Sequence, residues 1–203
     1  MLGLMQNWPL TVDKILDHAN ACFPQREVVT RSVDGPITRS TYGAIWRRAK
    51  QVTNALRAAD IAPGDRVATL AWNTDKHLEA WYGAMGMGAV LHTVNPRLFP
   101  EQIAWIMNHA EDKILLFDTT FLPIVEKVAP LLSTVKTYVA FTDRAHLPQS
   151  NLPLVAYEDF IAGHSSDAAW GGFQEDTACG LCYTSGTTGD PKGVLYSHRA
   201  NVI

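Results

Sequence analysis

Residues 67–94 read VATLAWNTDKHLEAWYGAMGMGAVLHTV. The opening six, 67–72, are a short apolar run with the length of a buried strand. Residues 75–87 follow with a helical pattern, and residues 89–94 return to an apolar strand that Asn95-Pro96 stops. Strand, helix and strand within about thirty residues make a βαβ unit, whose crossover requires the two strands to be parallel. The same alternation continues outward, with helix expected at 100–109, strand at 113–117, helix at 120–132 and strand at 135–141. Pro100 opens the first of these helices and Glu101 sits in its first turn, which suits a helix N-terminus. The expected fold is therefore α/β, a mainly parallel, doubly wound sheet flanked by helices.

Upstream, residues 11–21 read as a helix with Thr11 as N-cap. Residues 27–32 and 37–39 read as a hairpin around Asp34-Gly35. A long helix spans 41–59, with Tyr42, Ile45, Trp46, Ala49, Val52 and Leu56 on one face and Arg47, Arg48 and Lys50 toward water. Downstream, residues 163–172 are rich in Gly, Ser, Ala and Asp and read as a loop, and 177–184 as a last strand. A Gly/Thr loop follows, then a helix from Ser197.

The chain has 203 residues, 17 Lys plus Arg and 20 Asp plus Glu, and so a net charge of −3. No basic stripe suggests nucleic acid. Residues 1–8 lack the pattern of a secretory signal, and no run reaches the length of a membrane span. Three cysteines make no disulfide framework. A reducing cytoplasm is the expected location. Charged residues are 18% of the chain, against about 25% in a typical soluble domain. Such a surface suits coverage by further subdomains or by a homodimer partner.

The chemistry concentrates in residues 183–194, YTSGTTGDPKGV. From Thr184 to Gly189, four hydroxyl side chains and two glycines fill six positions. Glycine lets backbone N–H groups approach a ligand closely, hydroxyls add donors, and Lys192 adds a cation. Donors and a cation at a strand's end make an anion cradle suited to polyphosphate. A solvated linker is the plain alternative. Against it stand the location at a strand's carboxyl end, where open α/β sheets bind ligands, and the prompt return of apolar sequence. A Walker A loop needs Gly-Lys-Ser/Thr, whereas Pro191 and Gly193 flank Lys192, so P-loop NTPase chemistry is disfavoured.

This loop resembles the signature of the adenylate-forming superfamily, which includes acyl- and aryl-CoA synthetases, luciferase and peptide-synthetase adenylation domains. Ser40-Thr41-Tyr42 and Gly86-Met87-Gly88-Ala89-Val90 resemble two further family motifs. Ala71-Trp72-Asn73, His92 to Arg97 and Tyr196 to Arg199 look most like the medium- and long-chain fatty-acid–CoA ligase branch. The resemblance spans essentially the whole chain. It implies activation of a carboxylic acid by ATP to an acyl-adenylate, then transfer to the thiol of coenzyme A, with Mg²⁺ sharing the phosphate charge.

By that resemblance, Thr184, Ser185, Gly186, Thr187, Thr188 and Gly189 cradle the β- and γ-phosphates. Lys192 neutralises them and is the catalytic residue, and the Thr184 hydroxyl contacts Mg²⁺. The resemblance makes residues 1–203 the N-terminal portion of such an enzyme, an incomplete domain expected to be inactive alone. A ligase for a short-chain, sulfur-containing or aryl acid, or an adenylation domain, is the alternative. A shortened, non-catalytic chain that binds nucleotide or a partner is a third.

Other features have plainer readings. Gly83, Gly86 and Gly88 run in the reverse order of a dinucleotide fingerprint and read as close helix–sheet packing. Cys179 and Cys182 fall in a strand, where i and i+3 face opposite ways, and read as buried small hydrophobes. His198 follows the phosphate loop and fits either a site-lining or a packing role. His109 ends a helix, where partial positive charge is favourable.

Overall fold

The structure, a computed structural model, describes every residue except Leu2, Gln6, Asp34 and residues 185–189. Helix α1 (Asp13–Cys22) precedes an antiparallel pair, β1 (Glu27–Arg31) and β2 (Ile37–Thr41), with Glu27 opposite Thr41. Helix α2 (Tyr42–Ala58) begins where the Thr41 hydroxyl accepts a hydrogen bond from the Ala44 amide, at 3.2 Å. That bond satisfies one of the donors a helix start leaves open.

The main sheet then forms from β3 (Arg66–Leu70), β4 (Val90–Thr93), β5 (Asp112–Phe117), β6 (Thr137–Ala140), β7 (Leu154–Ala156), β8 (Ala178–Thr184) and β9 (Lys192–Ser197). Its order is β7-β6-β5-β3-β4-β8-β9, and every pairing is parallel except β8–β9. The intervening helices are α3 (Asp75–Gly86), α4 (Pro100–Ala110), α5 (Leu122–Val128) and α6 (Tyr157–Ile161), and α7 (His198–Val202) closes the chain.

Both faces of the sheet are covered, as the near-continuous apolar strands require. On one face Val52 and Leu56 of α2 and Ala80 and Ala84 of α3 pack on Val67, Leu91, Ile114 and Val139. On the other, Ile103 and Met107 of α4 and Val125 of α5 pack on Ala68, Leu115, Phe117 and Ala140. The doubly wound reading therefore holds.

Several local expectations change. Thr11 does not cap α1: the N-cap position is Val12, whose amide donates to His198 Nδ1 at 3.2 Å, while Thr11 is fully buried. The start of the helix is fixed by tertiary contact rather than by its own hydroxyl. The helix expected over 120–132 breaks into 3₁₀ turns at Thr119–Phe121 and Ala129–Leu131 around α5, and Pro130 supplies no N–H to continue it. Arg48 and Lys50 do not face water. Arg48 bonds Glu79 and Glu158, and the Lys50 ammonium donates to the Ala168 carbonyl between the rings of Trp46 and Trp170.

The glycines pack closely, but not against the sheet. A Cβ on Gly83 would lie 2.7 Å from Val52 Cβ in α2, and one on Gly86 would lie 2.6 Å from the Trp170 indole. Gly88 adopts φ +87°, a left-handed turn into β4.

Candidate functional site: a hairpin at the carboxyl end of the sheet

Strand β8 lies beside β4 in parallel, with Thr93 opposite Cys182, so Thr184 ends β8 at the carboxyl edge of the sheet. The helix expected from Ser197 starts at His198, with Ser197 as its N-cap, and the unanticipated strand β9 stands before it, paired antiparallel with β8. Residues 185–191 thus join two paired strands, and Lys192 lies directly opposite Thr184 across the ladder. Both are exposed. Of the predicted phosphate cradle, Ser185, Gly186, Thr187, Thr188 and Gly189 lie outside the described residues.

The hydroxyl of Thr184 and the ammonium of Lys192 come from facing positions at one hairpin base. A hydroxyl donor and a cation so placed suit a polyphosphate chain. Mg²⁺ usually keeps several waters and is held through one or two carboxylates plus substrate phosphates. Among the described residues no group of three His, Cys, Asp or Glu side chains could hold a metal ion. At the hairpin base, Thr184 offers a single hydroxyl oxygen to such an ion.

Below the hairpin, on the α4 side of the sheet, lies a set of aromatic and ionisable groups that sequence reading did not connect. The Tyr183 hydroxyl and His109 Nδ1 lie 2.6 Å apart. His109 stacks on Trp105 with ring centroids 4.8 Å apart. The Tyr183 ring also sits 5.2 Å from the ring of His92. His92 Nδ1 is 2.7 Å from Asp112 Oδ2, and both side chains are fully buried. Burial holds the Asp112 carboxyl above the ordinary carboxylate range, and the bond to His92 pulls it part of the way back. A signal for this pair was present: a histidine amid the apolar residues of β4 must find a polar partner once buried.

A cavity of about 600 Å³ opens beside the carboxyl ends of β3 and β4, bounded by Val28, Thr30, Asn73, His77, Trp81 and Thr93. It occupies the side of the sheet where open α/β folds bind ligands. His77 bonds Thr69 Oγ1 at 3.0 Å and the Trp72 carbonyl at 3.1 Å, and burial lowers its pKa. Its imidazole is therefore a fixed wall of the cavity.

His198 does not line the hairpin. It is buried, accepts from the Val12 amide and stacks on Phe173 at 4.5 Å. Cys179 and Cys182 depart from strict alternation, because the β8–β9 register shifts between Ala178 and Gly180. Cys179 joins the core around Met85 and Leu91, and Cys182 lines a small apolar space bounded by the same two residues. Their partners differ, however. Asn201 Nδ2 lies 3.2 Å from Cys179 Sγ, and Thr93 Oγ1 lies 3.0 Å from Cys182 Sγ. Burial pushes the Cys179 thiol up to about 11, so it stays protonated and unreactive.

Known proteins share the sequence and the fold of this chain. Residues 16–203 match the family described as AMP-binding enzyme. The chain is 46% identical over 204 residues to the 3-methylmercaptopropionyl-CoA ligase of Ruegeria lacuscaerulensis, covering all of this chain and 38% of that protein. It is 47% identical over 199 residues to the long-chain-fatty-acid–CoA ligase of Thermus thermophilus, covering 98% of this chain and 35% of that one. Its fold superposes on the anthranilate CoA ligase AuaEII in complex with anthranoyl-AMP, with a TM-score of 0.83 at 23% identity, over 96% of this chain and 37% of the other. The chain thus spans well under half the length of the relatives it matches. With this match over residues 16–203, and Thr184 facing Lys192 at the carboxyl edge of a doubly wound sheet, the chain belongs to the AMP-binding enzyme family.

Proposed function

We propose that residues 1–203 are the N-terminal portion of an ATP-dependent acid–CoA ligase acting on a medium- or long-chain fatty acid in the cytoplasm. The observation that carries this reading is the placement of Thr184 opposite Lys192 at the hairpin base of a chain in this family. In the first half-reaction a carboxylate oxygen attacks the α-phosphate of ATP, and the bond to pyrophosphate breaks. Negative charge grows on the departing oxygens. The Lys192 ammonium and the Thr184 hydroxyl stabilise that charge best when they are already aimed at it. Mg²⁺, bound with the nucleotide, would share the same charge. In the second half-reaction the thiol of coenzyme A takes the acyl group and AMP leaves. Pyrophosphate is then gone, so Lys192 has little to do there.

Lys192→Ala in the whole enzyme is therefore expected to slow acid-dependent ATP–pyrophosphate exchange by about 100-fold or more. Thioester formation from supplied acyl-adenylate should stay within a few-fold of wild type. Equal slowing of both steps sinks the role given to Lys192.

A sulfur-containing short acid is the second reading. The Ruegeria relative favours it at 46% identity, almost level with the 47% of the Thermus enzyme. The exchange assay across straight-chain acids and 3-methylmercaptopropionate decides between them by kcat/KM. The 203-residue chain alone is expected to give no exchange in the same assay.

A further inference from the structure

We infer that Tyr183, tied to His109 and backed by the buried His92–Asp112 pair, is the positioning residue that fixes the base of the Thr184–Lys192 hairpin. The inference rests on the ligase reading only for what the hairpin binds, not for how it is held.

Tyr183 immediately precedes Thr184 and pairs with Gly193, which immediately follows Lys192. Its ring reaches across to β9 so closely that a Cβ on Gly193 would lie 3.2 Å from Tyr183 Cζ. One aromatic ring therefore touches both strands just below the two residues assigned to the phosphates. The ring is itself held from two sides. Its hydroxyl bonds His109, which Trp105 stacks against on α4, and the ring packs at a tilt of 50° against His92. His92 cannot swing away, because Asp112 holds Nδ1 in a fully buried contact.

Strand β9 is the edge of the sheet, with only β8 beside it. A strand with one neighbour and an exposed surface frays more readily than a central one. The phenol–imidazole tie passes the rigidity of α4 to that edge. A site that stabilises charge must be held to within about half an ångström, so this tie acts on the reaction through Thr184 and Lys192.

The test uses the whole enzyme with Tyr183→Phe, His109→Leu and His109→Asn. Phe keeps the ring and removes only the hydroxyl, and Asn places a polar atom near the former Nδ1. Tyr183→Phe and His109→Leu are expected to raise KM for ATP in pyrophosphate exchange by about 3- to 10-fold, the scale of one hydrogen bond. Thioester formation from acyl-adenylate should stay within about twofold of wild type, and His109→Asn should recover most of the loss. An unmoved KM, or equal loss in both half-reactions, overturns the inference.

Hydrogen–deuterium exchange on the same protein gives a readout independent of turnover. The amides of Tyr183, Thr184, Lys192 and Gly193 should exchange faster in Tyr183→Phe, while those of β3 and β5 stay unchanged. Unchanged rates at the hairpin base overturn the positioning role. If wild type shows no acid-dependent pyrophosphate exchange, the ligase reading falls, and the amide rates alone decide whether Tyr183 fixes the hairpin.

Discussion

Arg48 carries more than its place on an amphipathic helix suggests. Its Nε donates to Glu79 Oε1 at 2.8 Å, and its terminal nitrogens grip Glu158 at 2.9 and 3.0 Å. The Tyr157 hydroxyl donates to the other Glu79 oxygen at 2.8 Å. Glu79 is only 1% exposed, and burial raises its carboxyl above the ordinary range, while Arg48 and Tyr157 draw it down. Removing Arg48 leaves that carboxylate buried with the phenol alone. Arg48→Met is expected to cost about 3 kcal/mol. For a chain of this size that lowers Tm by roughly 6–12 °C.

The sign with pH follows from Glu79. A folded-state pKa raised above its unfolded value means the folded chain holds more protons in the window between the two. Stability contributed by that proton is present at low pH and lost as pH rises. Without Arg48 the proton replaces the guanidinium, so the Tm deficit of Arg48→Met should be smaller at pH 5 than at pH 8. Thermal melts at the two pH values check this, and an equal or larger deficit at pH 5 refutes it. None of this was legible from periodicity. The 3.6 repeat locates the apolar face of α2, but Arg48 lies at its border, and the partners that bury it come from residues 31 and 110 positions away.

At the scale of elements, the βαβ pattern was readable because period and length both change at each boundary. β3, α3, β4, α4 and β5 all stand close to where apolar runs and helix signals place them. The short β7 and α6 escaped, since three or five residues carry no measurable period. Strand β9 escaped for a different reason. Its residues are mostly exposed, so no buried face imprints alternation on Lys192 to Ser197. Glycines marked tight contact without naming the partner. Gly83 meets α2 backbone as well as side chain, with Ala49 O 2.8 Å from where a Cβ would stand. Helix α2 would have to move away from α3. Gly83→Ala is expected to cost about 1–3 kcal/mol through overpacking, despite the better helix propensity of alanine. Urea denaturation measures it, and a stabilised variant contradicts the contact.

Across the whole molecule, the shortage of charge has a specific address. The edge strand β9 exposes Val194, Leu195 and Tyr196 in succession, and Leu195 is 62% exposed. An exposed apolar edge pairs readily with another chain, since its backbone donors and acceptors lack a neighbour on that side. The net charge of −3 on 203 residues gives little long-range repulsion to oppose such pairing. The 203-residue chain in solution should therefore self-associate as its concentration rises. Leu195→Lys adds a charge at the centre of that edge and leaves both the ladder and the core untouched. Sedimentation velocity should show a lower weight-average mass for Leu195→Lys than for wild type at the same concentration, with an unchanged Tm. The same association in both would place the contact elsewhere on the surface, because a lysine at the middle of a paired edge cannot be buried without losing its hydration.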